Sequence, residues 1–94
     1  MVAKSRLNID AAQVIALKAL AFMASDSERV ERFMKLTGLA PAEIRDQAGT
    51  PAFLAGLLEY LRTDQTLLLA FTESEGLEPD IVDMACLRLT GIRE

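Results

Sequence analysis

Five carboxylates and no basic residue fall between positions 73 and 83, namely Glu73, Glu75, Glu78, Asp80 and Asp83. Such a cluster invites a divalent cation. The spacing is not that of an EF-hand, which needs oxygen ligands at alternate positions, a central glycine and a terminal glutamate. Glu78 and Asp80 suit the first turn of a helix instead, where negative charge meets unpaired backbone amides. The stretch reads as a solvated acidic face, with a contact for a basic partner or a metal as its other readings. No metal ligand set and no cofactor site is assigned.

The chain has no histidine, so it has no imidazole base, no histidine-based triad and no histidine ligand. Its single cysteine, Cys86, lies on an apolar line with Val82, Ala85 and Leu89. No base falls nearby and no helix start is there to lower its pKa, so it reads as a buried structural thiol rather than a nucleophile. One cysteine makes no internal disulfide, which fits a reducing compartment. No catalytic residue is assigned, and the expectation is that the protein is not an enzyme.

Arg29, Arg32 and Lys35 form a basic stripe, but Glu28 and Glu31 interleave with it. Glu28–Arg32 and Glu31–Lys35 have i,i+4 spacing with the acid first, the favourable order, which predicts a salt-bridged solvated face. The stretch "FMKLTGLAPAEI", residues 33–44, has the glycine-containing hinge of a helix-turn-helix. The helix that would enter DNA, residues 41–48, carries Glu43 and Asp46 against only Arg45. The formal net charge is −4. Binding duplex DNA depends on neutralising phosphates, so the corner reads as structural and nucleic acid as disfavoured.

The elements that must position these residues come in two similar halves. A shift of 38 residues superposes Leu20 on Leu58, Asp26 on Asp64, Phe33 on Phe71, Gly38 on Gly76, Leu39 on Leu77 and Pro41 on Pro79. The predicted fold is an all-α, compact bundle of five or six short helices, with an internal duplication of a unit made of helix, capped helix and glycine corner. The whole chain, 1–94, is read as one domain, with repeat units at about 9–49 and 50–90 and a flexible lead over 1–8. Asn8 or Asp10 caps the first helix, and Ser25 with Glu28 forms a capping box for the second. Gly38 and Gly76 end helices in the left-handed conformation that costs glycine nothing, while Thr50 caps a helix whose first residue is Pro51.

The helix over 9–24 is apolar nearly all round, which predicts a central position against its counterpart at 51–62, with Gly56 permitting close approach. Leu67, Leu68 and Leu69 in a row cannot all face one core at 100° per residue. Met84 and Leu87 likewise lie off the apolar line of the last helix. Leu67, Leu69, Met84 and Leu87 are therefore the candidate interaction surface, for a homodimer or an unidentified protein partner, with deeper burial inside one chain as the alternative.

The most apolar stretch, residues 11–24, is too short to span a bilayer and carries Lys18. Lys4 and Arg6 ahead of it suggest a signal peptide, but Asp10 and Lys18 argue against one. The expectation is a cytoplasmic protein with no membrane contact.

The pieces "ALAF" before a Ser/Asp cap, "RFMKLTGL", "PAFLAGLLEYL", and "LLLAF" followed by "GLEP" together resemble the family called domain of unknown function 3572. The resemblance covers residues 9 to 90 and implies a small, all-helical, intracellular bacterial protein with no established activity, cofactor or catalytic residue. It carries over no functional residue. Ala40 and Glu78 depart from it, standing before the prolines where a capping Ser is expected. The function read from all this is a non-catalytic protein-interaction or self-associating module, with a helix-turn-helix-like DNA-binding regulator as the alternative.

Overall fold

The computed structural model describes residues 7–91. Lys4 and Arg6, and most of the lead expected to be flexible, lie outside the described residues. Six helices follow in order, α1 (Ile9–Ala24), α2 (Ser27–Thr37), α3 (Pro41–Gln47), α4 (Pro51–Arg62), α5 (Gln65–Glu75) and α6 (Pro79–Gly91), with no strand among the described residues. The all-α bundle expected from the sequence is present, and the boundaries follow its capping residues.

Asn8 starts α1, its side-chain oxygen accepting from the Ala11 amide at 2.7 Å. Thr50 accepts from the Phe53 amide ahead of Pro51 in α4. Gly38 and Gly76 end α2 and α5 at φ 76° and 69°, in the left-handed region, as expected. Ser25 does not cap α2. Its hydroxyl donates backward to the Phe22 carbonyl at the end of α1, and Asp26 takes the cap by accepting from the Glu28 amide at 2.9 Å. Two acceptors stood side by side, and the chain used the serine to close one helix and the aspartate to open the next.

The centre is a trio rather than the expected pair. α6 packs extensively against both α4 and α1, which also touch each other. α4 contributes the most to the core, burying Phe53, Leu54, Ala55, Leu57, Leu58 and Leu61, and α6 adds Val82, Ala85, Cys86 and Leu89. α3, the sequence counterpart of α6, buries no residue. Only Ile44 of α3 rests against the core. The 38-residue correspondence thus holds for the left-handed glycines and for Asp26 and Asp64, which cap α2 and α5, but the third helix of each half is placed differently.

Gly56 does not serve close helix approach. It is exposed, and a Cβ there would meet nothing within 4 Å. α1 also departs from expectation. The body measures 40 × 30 × 18 Å, and with helices about 10 Å across its thin dimension holds about two layers. No helix in such a body is covered on every side. α1 buries Ala12, Ile15, Ala16, Ala19 and Met23 and leaves its opposite face bare.

Candidate interaction surface

The four residues singled out from the sequence do not share one place. Leu67 and its neighbour Leu68 are partly buried against the core, and Leu69 points out, 39% exposed. Three consecutive leucines on a helix spread over too wide an arc for one core, and the outermost is the one left over. Met84 and Leu87 line a shallow hollow with Leu7 and Arg88, whereas Leu67 lines a different one beside α2. Leu87 is 69% exposed, while Met84 is half-buried. Arg88 Nε donates to the Leu7 carbonyl at 3.0 Å, and Leu7 rests on the core, so the chain just before α1 is tied to α6.

The acidic stretch is spread over α5, α6 and the turn between them. Glu75 pairs with Lys18 of α1 at 3.7 Å, and Asp83 Oδ1 accepts from Arg62 Nε at 2.7 Å. No group of three ligating side chains that could hold a metal forms among the described residues. Cys86 is buried, as expected, and its thiol faces the Ala55 carbonyl at 3.6 Å. No sequence signal marks the approach of Arg62 to this thiol. The guanidinium lies 3.9 Å from the sulfur, 24 residues away in the chain. Arg62 is held above its ordinary pKa, chiefly by that sulfur contact and further by Asp83. An arginine is protonated at any working pH, so the arrangement fixes a side chain and creates no acid or base.

On α2 the expected i,i+4 bridges do not close among the described residues. Arg29 pairs with Asp26 instead, at 3.7 Å, and its guanidinium lies 4.3 Å over the Phe22 ring. An arginine over an aromatic face gains from the ring quadrupole, which competes with a fully exposed ion pair. Arg29 and Arg32 line an open hollow of about 400 Å³ with Tyr60, but Asp26, Glu28 and Asp64 line it too. Three carboxylates against two guanidiniums make this a poor anion site. α3 spends Glu43 on its own start, where the carboxylate accepts from the Ala40 amide at 2.8 Å. That interaction stands in for the cap alanine lacks.

A run of bare apolar side chains lies on α1, where burial was expected from the sequence. Val14 is 50% exposed and Leu17 45%, and Ala21 and Ala24 continue the same side of the helix in the open. Positions 14, 17, 21 and 24 follow the 3,4,3 spacing of one helical stripe. Asp10 sits at the start of this stripe and Lys18 on its flank, both exposed. The signal was present in the sequence as a helix apolar all round. Its direction was not, because the number of layers around a helix is a tertiary property.

No helix among the described residues is long and apolar enough to cross a membrane. No curated protein and no solved structure matches the chain. Residues 9–92 match the family described as protein of unknown function, DUF3572, and the chain belongs to that family.

Proposed function

We propose that the protein is a non-catalytic module that works by association, and that the outer stripe of α1 is the centre of a two-fold contact with a second copy. The observation that carries this is the exposure of Val14 and Leu17 on one face of a helix that has few polar residues to solvate it. Burying a Val or Leu side chain fully is worth about 1.5–3 kcal/mol, so covering two half-exposed ones recovers a useful part of that in each copy.

Charge selects a second copy as the occupant. A two-fold contact presents the same patch on both sides. Two α1 helices crossing antiparallel at Val14 bring Asp10 of each copy toward Lys18 of the other, since the two positions lie four residues to either side. The exposed pair Lys18–Glu75, at 3.7 Å, opposes this little, because such surface pairs are worth only about 0–1 kcal/mol. A specific interface usually buries about 800 Å² per partner. The stripe supplies only the centre of that, so the association is weak, in the micromolar range or above. Sedimentation across a concentration series tests the reading. A dimer fraction that grows with concentration supports it, and a monomer throughout removes it.

A further inference from the structure

The hollow between α2 and α3 has a different character from the other surface depressions. Leu20 and Met23 of α1, Phe33 and Met34 of α2, and Ile44 of α3 are among the side chains that form its wall. Its volume is about 270 Å³. One charged side chain lines it, that of the exposed Arg45. Arg45 makes no ion pair among the described residues and is exposed.

The hollow follows from how α3 is attached. α3 has seven residues, none buried, and hangs between the left-handed Gly38 and the turn at Gly49. α2 enters the core through Phe33 alone, leaving Val30 and Met34 half-buried beside the gap. A short, unburied helix thus forms one side of an open apolar hollow that its own side chains do not fill. Covering such apolar walls with an apolar guest removes them from water, which is favourable. Methionine side chains adapt readily to a guest's shape.

We propose that this hollow binds a medium-chain fatty carboxylate, with the chain against Met23, Met34 and Ile44 and the carboxylate on Arg45. The size argues for a small guest. The volume of about 270 Å³ falls just below the roughly 300–1,000 Å³ of drug-sized pockets. The charge argues for the head group. A guanidinium with no acidic partner at an apolar mouth matches a carboxylate in a planar, two-bond geometry. The hollow shares only Ala24 with the outer stripe of α1, and neither Val14 nor Leu17 lines it, so either reading can fail without the other.

The test uses the whole chain labelled with ¹³C at the methionine methyls, titrated with decanoate and with decanol below the concentrations at which they self-associate. Saturable shifts at Met23 and Met34, with Met84 unmoved as the internal control, are expected. Decanoate should bind about tenfold tighter than decanol, and Arg45→Gln should abolish that preference while Arg45→Lys keeps part of it. Arg45 is exposed, so neither variant threatens the fold, and far-ultraviolet circular dichroism verifies that. Absence of saturable shifts overturns the proposal, as does equal movement of Met84. Decanoate binding that Arg45→Gln leaves unchanged overturns it too.

Discussion

Phe33 of α2 meets Tyr60 of α4 edge-on, with ring centroids 5.2 Å apart. Move Phe33 forward and Tyr60 back by the 38-residue offset, so that each crosses into the other half, and the pair becomes Phe71 and Phe22, whose rings also meet, tilted, at 5.6 Å. Each half thus sends the aromatic residue of its second helix onto the first helix of the other half. Phe33 also touches Phe53 at 6.2 Å. The correspondence goes no further, because α6 enters the core and α3 does not, and the internal duplication expected from the sequence is not established by the fold.

These two phenylalanines should be the costliest single truncations in the chain. Phe33 is 5% exposed and Phe71 fully buried. Phe33→Ala and Phe71→Ala should each lose about 3–5 kcal/mol, a large part of a small domain's stability. Denaturant unfolding measures both. A loss under 1 kcal/mol at either position means that ring is not part of the core.

Three glycine-to-alanine substitutions should differ in sign. A Cβ at Gly38, Gly56 or Gly76 would meet nothing within 4 Å, so backbone conformation alone decides. Gly38 and Gly76 are left-handed, and alanine there should cost about 1–2 kcal/mol. Gly56 is an exposed position inside α4, where alanine should stabilise by about 0.5–1 kcal/mol. Melting temperatures of the three variants give the comparison, and a destabilising Gly56→Ala would restore the close approach first expected there.

Local signals were legible and relative placement was not. Thr50 with Pro51, Asn8, Gly38 and Gly76 marked helix ends because their roles depend on a few neighbouring backbone groups. Even so, the two glycine corners close differently. Leu77 N–H donates to the Thr72 carbonyl at 2.8 Å, whereas Leu39 N–H donates to the Thr37 hydroxyl at 3.3 Å. Position 75, the counterpart of Thr37, is a glutamate with no hydroxyl to offer. The hollow beneath α3 had no local signal at all. It exists because four helices meet imperfectly, and α1, α2, α3 and α4 each supply part of its wall.

That corner gives a prediction about Thr37. Its hydroxyl donates to the Phe33 carbonyl at 2.8 Å and accepts from Leu39, two bonds from one group. Thr37→Val removes both while keeping the shape. The expected loss is about 0.5–1.5 kcal/mol, since the freed groups are near solvent. Hydrogen exchange should speed up at Leu39 and leave Leu77 unchanged. Unaltered exchange at Leu39 would mean that the hydroxyl does not hold the corner.

Cys86 should resist thiol reagents in the folded protein. It is 2% exposed, and its partner Arg62 is pinned by Asp83 rather than open to a reagent. Labelling then waits for the chain to open, so its rate should follow global stability and rise with denaturant. Rapid modification in buffer would show that α6 leaves the core easily.

The last prediction separates the two candidate surfaces. Leu17 belongs to the stripe on α1, and Leu69 and Leu87 to the set first expected from the sequence. All three are exposed enough that glutamate should leave helicity intact, at 45%, 39% and 69%. If copies meet through α1, Leu17→Glu places two like charges near the two-fold axis with no room to solvate them, and Val14→Glu places them on it. Both should abolish the concentration-dependent species in sedimentation, while Leu69→Glu and Leu87→Glu leave it unchanged. A further check uses Asp10→Lys and Lys18→Asp. Each single reversal should weaken the dimer, and the double reversal should restore much of it, because the charges would again be opposite across the axis. Loss of the dimer in Leu87→Glu with retention in Leu17→Glu would move the contact to α6, beside Leu7 and Arg88.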